Sequence, residues 1–158
     1  MKIKILLLAA AGFCFAMNAT AQRKPAAKTT TLAKKYKVPK MTTMLGTYSD
    51  SLGLPAGEVE KIIGLPLRIV DVNKNVYTIS SYQFLYRKLV VSETEDGKAI
   101  PATSVSSQLF TISPLPSIWV STVRDQVKKG EELLFFDVIV KDNLGHVMYA
   151  PNLKITVL

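Results

Sequence analysis

Cysteine and histidine are almost absent from this 158-residue chain; Cys14 and His146 are the only examples. With Cys14 in an apolar N-terminal stretch, the rest of the chain has no disulfide, no thiolate nucleophile and no cysteine-ligated metal. A single imidazole, with no Asp-rich loop at ligand spacing, leaves no metal-binding pattern. No Gly-rich loop opens a helix, so no phosphate cradle is encoded. None of the serines sits in a Gly-x-Ser-x-Gly setting. Beyond the N-terminus there is no apolar run of the roughly 20 residues that a spanning helix requires.

What is there begins with MKIKILLLAAAGFCFAMNATA, residues 1–21. Lys2 and Lys4 form a positive start, Ile5 to Met17 an apolar centre, and Ala19-Thr20-Ala21 a small-residue cleavage pattern. That is the pattern of a secretory signal peptide, with Gln22 as the expected mature start. Phe13, directly before Cys14, is bulky where a lipid-anchor cysteine would follow a small residue, so Cys14 is read as filler of the apolar centre. Residues 22–44 carry Arg23, Lys24, Lys28, Lys34, Lys35, Lys37 and Lys40 and no acid, whereas 45–158 hold eleven basic against twelve acidic residues. The basicity is therefore a tail and not a property of the domain. Its Lys, Thr, Ala and Pro content predicts a disordered linker. Lys34, Lys35 and Lys37 are its candidates for contact with an anionic envelope surface. Nucleic acid is a poor partner for it, because Tyr36 is its only aromatic available for stacking.

Residues 45–158 predict one mainly β domain, an immunoglobulin-like β-sandwich with one or two short helices. LPAGEVEKIIG (54–64) carries helix punctuation: Pro55 in the first turn, Gly64 as a left-handed cap, and Val59, Ile62 and Ile63 on one face. LPLRIVDV (65–72) reads as a strand closed by the turn Asn73-Lys74-Asn75. VYTISSYQFLYRKLVV (76–91) alternates, with Thr78, Ser80, Tyr82, Phe84 and Tyr86 on one parity and a kink expected near Ser80-Ser81. Asp96-Gly97 marks a hairpin, followed by a strand in 102–113. In 114–130 the spacing of Trp119, Val123 and Val127, with Ser117 before and Gly130 after, predicts a short helix whose last turn holds Lys128 and Lys129. ELLFFDVIV (132–140) is apolar on both parities except at Asp137. That pattern predicts a strand covered on both faces, with Asp137 either at the solvent rim or supplied with a buried partner. After the turn Asp142–Gly145 comes a return strand containing Pro151, then Leu153, Ile155 and Val157 on one face of a half-buried last strand. Six or seven strands are expected in all.

Candidate chemistry is sparse. His146, just past a turn, would need a serine and an orienting acid to form a hydrolase triad; the alternative is a half-exposed strand residue. The acidic sets Glu58/Glu60, Glu93/Glu95/Asp96 and Glu131/Glu132 each read as solvated residues beside helix or strand ends. Trp119 either fills the core or anchors an interface.

The elements VYTISSYQFLYRK (76–88) and SSQLFTISPLPSIWVSTVRDQVKKGEELLFFDVIVKDNLGHVMYAPNLKITVL (106–158) resemble the C-terminal domain of the gliding-motility protein GldM. The likeness rests on the strand Thr78 to Phe84, the Lys-Lys-Gly-Glu end of a helix at Val127 to Glu131, the strand Phe135 to Gly145, and the Pro-bearing segment Pro151 to Leu158. AGEVEKIIGLPLRIVDV (56–72) fits the lead-in to that domain. The resemblance implies an immunoglobulin-like sandwich in a cell envelope with type IX secretion and gliding machinery. It implies no catalytic residues. The family's retained membrane helix and upstream domains have no counterpart here, so only a docking role carries over. The expectation is thus an exported, non-enzymatic interaction module without cofactor, in the periplasm or at the cell surface. An envelope protein is its expected partner, and a homo-oligomer is compatible with it. The last strand (Leu153, Ile155, Val157) and Trp119 are its candidate contacts. A structural protein bound through its basic tail is the alternative.

Overall fold

The computed structural model describes residues 36–158. The expected signal peptide, residues 1–21, and most of the basic tail, with Lys34 and Lys35, lie outside the described residues. The domain is mainly β and β-sandwich-like, with two short helices and a sheet that nearly closes on itself. Nine strands are present among the described residues, more than the six or seven expected.

The first three strands are the ones that sequence pattern missed. All of β1 (Met41–Leu45) but Leu45 falls in the stretch 22–44 expected to be linker, so the boundary placed at residue 44 moves to before Met41. Met41, Thr43 and Leu45 alternate inward, and the buried Thr43 hydroxyl donates to the Pro151 carbonyl at 2.6 Å. Their periodicity is carried by threonine and methionine directly after a lysine-rich run, so it does not read as a strand. β2 (Tyr48–Ser49) and β3 (Leu52–Leu54) are too short to show a pattern.

α1 (Ala56–Ile62) buries Val59 and Ile62, with Ile63 just beyond it, as its spacing predicted. Gly64 is not a left-handed cap; a Cβ there would lie 2.9 Å from Arg124 Nη2, so its role is to let that side chain approach. β4 (Leu67–Asp71) leads into a turn organised by Asp71, whose carboxylate accepts from the N–H groups of Asn73 and Asn75 and from the Tyr77 hydroxyl.

β5 (Val76–Glu93) and β7 (Glu132–Lys141) form the spine of the fold. Their antiparallel register steps from Ile79↔Val140 to Ser81↔Ile139 and then to Gln83↔Phe136. The first step leaves Ser80 as an extra residue in β5, and the second leaves Asp137 as an extra residue in β7. Side chains alternate with period two, so each bulge turns its strand over. In β5 the buried side chain is Tyr77 before the bulge, and Tyr82, Phe84 and Tyr86 after it. In β7 it is Leu133 and Phe135 before, and Val138 and Val140 after. The buried parity of 132–140 therefore changes at Asp137, while Leu134, Phe136 and Ile139 put half-buried apolar side chains on the other face, which is not fully covered. Asp137 resolves as the exposed bulge residue, with φ of 48° and its carboxylate accepting from Gln83 Nε2 at 2.9 Å.

The two bulged strands divide their neighbours. β4 and then β6 (Ala99–Phe110) line one edge of β5. β9 (Leu153–Val157) and then β8 (Val147–Ala150) line the far edge of β7, with Pro151 in the break between them. β3 adds in parallel outside β9. The last strand is thus internal to the sheet.

α2 (Ser117–Gln126) buries Val120 and Val123 and sets Trp119 against Phe84 of β5 and Phe110 of β6. Its N-cap is Pro116, without a side-chain cap, and not Ser117. It also ends before Lys128 and Lys129, with Arg124 as the basic residue of its last turn. Gly130, at φ 87°, shapes the following turn beneath Leu89.

Because a left-handed backbone costs a residue with a Cβ about 1–2 kcal/mol, Asp137→Val is expected to lose roughly that much stability relative to Asp137→Gly. Urea midpoints of the two variants measure the difference; equal midpoints would mean that the bulge does not hold φ positive.

Candidate functional site

Three regions carry the side chains on which function could rest. The first surrounds His146. The turn Asp142–Gly145 places the Asp142 carboxylate under its own loop, where Oδ1 accepts from the N–H groups of Leu144 and His146, each at 2.8 Å. Oδ2 pairs with His146 Nδ1 at 2.6 Å. A carboxylate only accepts, so the ring proton sits on Nδ1. Tyr36 stacks on the imidazole with ring centroids 4.1 Å apart, and its hydroxyl reaches Asp142 Oδ2 at 3.1 Å. Burial works to raise the Asp142 carboxyl, but the hydrogen bonds from the His146 ring and N–H, with those from Tyr36 and Leu144, outweigh it and hold it at about 2. A hydrolytic triad would place a hydroxyl on Nε2. Among the described residues no hydroxyl hydrogen-bonds that nitrogen. The arrangement is that of a loop fastened to the residue that leads out of the N-terminal segment.

The second region is the buried carboxylate of Glu131, which its sequence setting presented as solvated. Its relative exposure is 2%. It accepts from the Tyr86 hydroxyl and from the N–H groups of Lys128 at 3.0 Å and Leu89 at 3.2 Å. Its backbone is bonded to Lys128 and Val157. Lys-Lys-Gly-Glu carries no sign of this, because two of the three donors, Tyr86 and Leu89, come from a strand some forty residues earlier. Three donors on one carboxylate tie helix exit and spine together, and the Glu131 backbone carbonyl, accepting from the Val157 N–H, adds the last strand. These bonds make the carboxylate a structural tie. Burial, followed by the Glu131 hydrogen bond, pushes the Tyr86 hydroxyl well above its ordinary value. Burial alone pushes Tyr82 up to about 12.

The third region is the outer face of β5 and β6. Odd-numbered residues of both strands share it, and Leu89, Val91, Val105 and Leu109 are all exposed there. Leu85, Leu134 and Phe136 extend the same face, half-buried. Across its middle runs an ion triad in which Glu132 pairs with Arg87 at 2.9 Å and Lys154 at 2.7 Å. The hydrogen bond from Lys154 comes first in holding the Glu132 carboxyl below its usual range, against the effect of burial. Beyond the Arg87↔Glu132 pair, β5 and β6 continue alone to Glu93 and Ala99 as a two-stranded arm.

The expected contact residues divide accordingly. Leu153, Ile155 and Val157 are buried at 0–1% exposure between β7 and β3, so the last strand offers no edge and is not a docking surface. Trp119 is half-buried, edge-on to Phe84 at 5.5 Å and Phe110 at 5.8 Å, with its indole N–H donating to Gln108 at 3.0 Å. It serves the core. Lys37 is exposed. The sequence reading missed the outer face because Ser and Thr dilute the apolar residues of β6; parity against β5 was the signal that would have exposed it. No group of three or more potential metal-ligating side chains occurs among the described residues, and no described helix is long and apolar enough to cross a membrane.

No protein-family model matches the chain, and no curated protein matches it.

Two pH limits follow. The Asp142 carboxyl ionises more easily folded than at its ordinary 3.8, so its contribution is complete above that value and is lost as pH falls toward about 2. Asp142→Asn is expected to flatten the acid limb of the stability curve between those limits; an unchanged limb would exclude the fastened loop as its source. At the other end, Tyr82 and Tyr86 ionise less easily folded, so their contribution is complete below pH 10 and lost as pH rises through about 12 and beyond. Ultraviolet titration is expected to show these two phenols ionising only as the domain unfolds. Their titration near pH 10 in a folded protein would contradict the burial.

Proposed function

We propose that this chain is an exported, non-enzymatic docking module of a bacterial cell envelope that binds a protein partner. The observation that carries the reading is the exposed apolar outer face of β5 and β6, with Leu89, Val91, Val105 and Leu109 open to solvent. Exposed apolar side chains clustered about paired charges are the chemistry of protein association. The Arg87–Glu132–Lys154 triad gives such a contact a polar register mark. The signal-like residues 1–21 and the resemblance to the GldM C-terminal domain support the envelope setting and an association with gliding or type IX secretion machinery. The His146 cluster gives a hydrolase no support, since among the described residues its side-chain partners are the loop acid and a stacked tyrosine. The docking surface assigned here is the outer face and not the last strand.

The test is affinity capture from envelope extracts with three forms: the exported protein, a form lacking residues 22–35, and Val91→Lys/Leu109→Lys. The expected outcome is one protein partner retained by the first two and reduced at least tenfold with the third, whose circular dichroism is unchanged. Partner recovery that ignores the face substitutions refutes the assignment. Retention that vanishes with residues 22–35 and with added salt instead favours the alternative, a structural protein held on an anionic surface by its basic tail.

A further inference from the structure

β6 is the long unpaired edge of this sheet. Its twelve residues, AIPATSVSSQLF, pair only with β5 among the described residues, whereas the outer strands β2 and β3 have two and three residues. It contains no charged residue. Edge strands of soluble proteins are ordinarily blunted by lysine, bulges or brevity, and β6 has none of these, only Pro101.

Two observations fix which backbone groups face outward. The β5–β6 register is unbroken from Tyr82↔Phe110 to Glu93↔Ala99, and it sets Pro101 opposite Val91. A proline keeps its ladder only where its nitrogen faces away from the neighbouring strand, so odd residues of β6 direct their backbone groups to the free edge. Independently, the Leu89 N–H donates to Glu131, on the β7 side of β5. Its partner Thr103 is then in a non-bonded pair and faces outward as well. Thr103, Val105, Ser107 and Leu109 therefore present unpaired N–H and C=O groups, and Pro101 ends the series.

We propose that this edge pairs with the same edge of a second copy, antiparallel, about a twofold axis at Ser106. In that register Thr103 lies opposite Leu109 of the second copy and Val105 opposite Ser107. All four outward residues are then used, for about eight backbone hydrogen bonds. Shifting the axis to residue 105 would set Leu109 against Pro101, which has no N–H to give. The paired side chains match large with small: Leu109 with Thr103, Val105 with Ser107, Gln108 with Ser104, and Ser106 with itself. No like charges meet, because the edge has none; Arg87 and Lys88 stand a strand away on each side, roughly 14 Å from their counterparts. The strand that fits β6 is thus one with its own composition read backwards. Pairing would also join the two apolar outer faces into one six-stranded surface, which enlarges the docking face without depending on it.

Sedimentation equilibrium of the exported protein is expected to give twice the chain mass at tens of micromolar. Val105→Lys, which puts a charge on the edge, and Ser107→Pro, which removes an outward donor and spares the β5 ladder, are each expected to give the single-chain mass with unchanged circular dichroism. Register is read separately by single cysteines placed in the exported protein, which from Gln22 onward has none of its own. Ser106→Cys faces its own copy in a non-bonded pair, where Cβ atoms lie about 4.5–5.5 Å apart, and is expected to form a disulfide-linked dimer on mild oxidation; Ser104→Cys is not. A single-chain mass up to about 100 μM, or equal cross-linking at 104 and 106, overturns the proposal. So does a dimer that survives both edge substitutions. The cysteine pair keeps the test decisive if either edge variant fails to fold. No second protein is present in these measurements, so their failure would leave the docking face untouched.

Discussion

The opposed bulges at Ser80 and Asp137 are the constraint on which the rest of the molecule depends. Each strand of the spine needs its own extra residue. A single bulge would turn one strand over and leave its partner's apolar side chains on the wrong face. With both, Tyr77 and Val140 serve one part of the core while Tyr82, Phe84, Leu133 and Phe135 serve the other. The same break divides the neighbours of the spine, so that β4 and β6 share one edge of β5 while β8 and β9 share one edge of β7. The sheet can then fold back until Thr43 of β1 reaches Pro151 beside β8.

Glu131 makes the second long-range commitment. Its carboxylate is buried and accepts from one hydroxyl and two backbone N–H groups, so the exit of α2 cannot move away from β5 without stranding a buried polar group. The same interaction orients Leu89 toward β7 and leaves the backbone of Thr103 facing solvent. A buried tie on one side of the spine thereby decides which groups are free on the other. The open edge and the exposed face follow from how the interior is fastened.

The position of the apolar face is also instructive. β6 carries its exposed apolar residues one strand out from the core, on the side away from α2. There Leu109 and Val105 are exposed and Leu89 meets only the turn at Gly130 among the described residues, while Gln108 on the opposite parity is bonded to Trp119. The last strand has a stronger apolar alternation and none of this exposure. A strand's own pattern says that one of its faces is buried; it does not say whether its edges are.

Local chemistry was readable from the chain. The Val59–Ile62–Ile63 face of α1, the left-handed Gly97 and Gly145, the kink at Ser80-Ser81 and the two short helices all follow from neighbours within a few residues. So does the mainly β class, because alternation and turn residues act over the same range. The places where the reading failed are those where distant segments decide. Met41–Leu45 is a strand because β4 supplies its partner, Glu131 is buried because Tyr86 and Leu89 supply its donors, and Leu153–Val157 is internal because β3 closes over it. Asp137 shows both sides of this division. The sequence singled it out as the one polar residue in an apolar run, since that needs only the run itself. That it is a left-handed bulge turning the strand over was decided only by tertiary structure, because a bulge exists only against the register of the strand beside it.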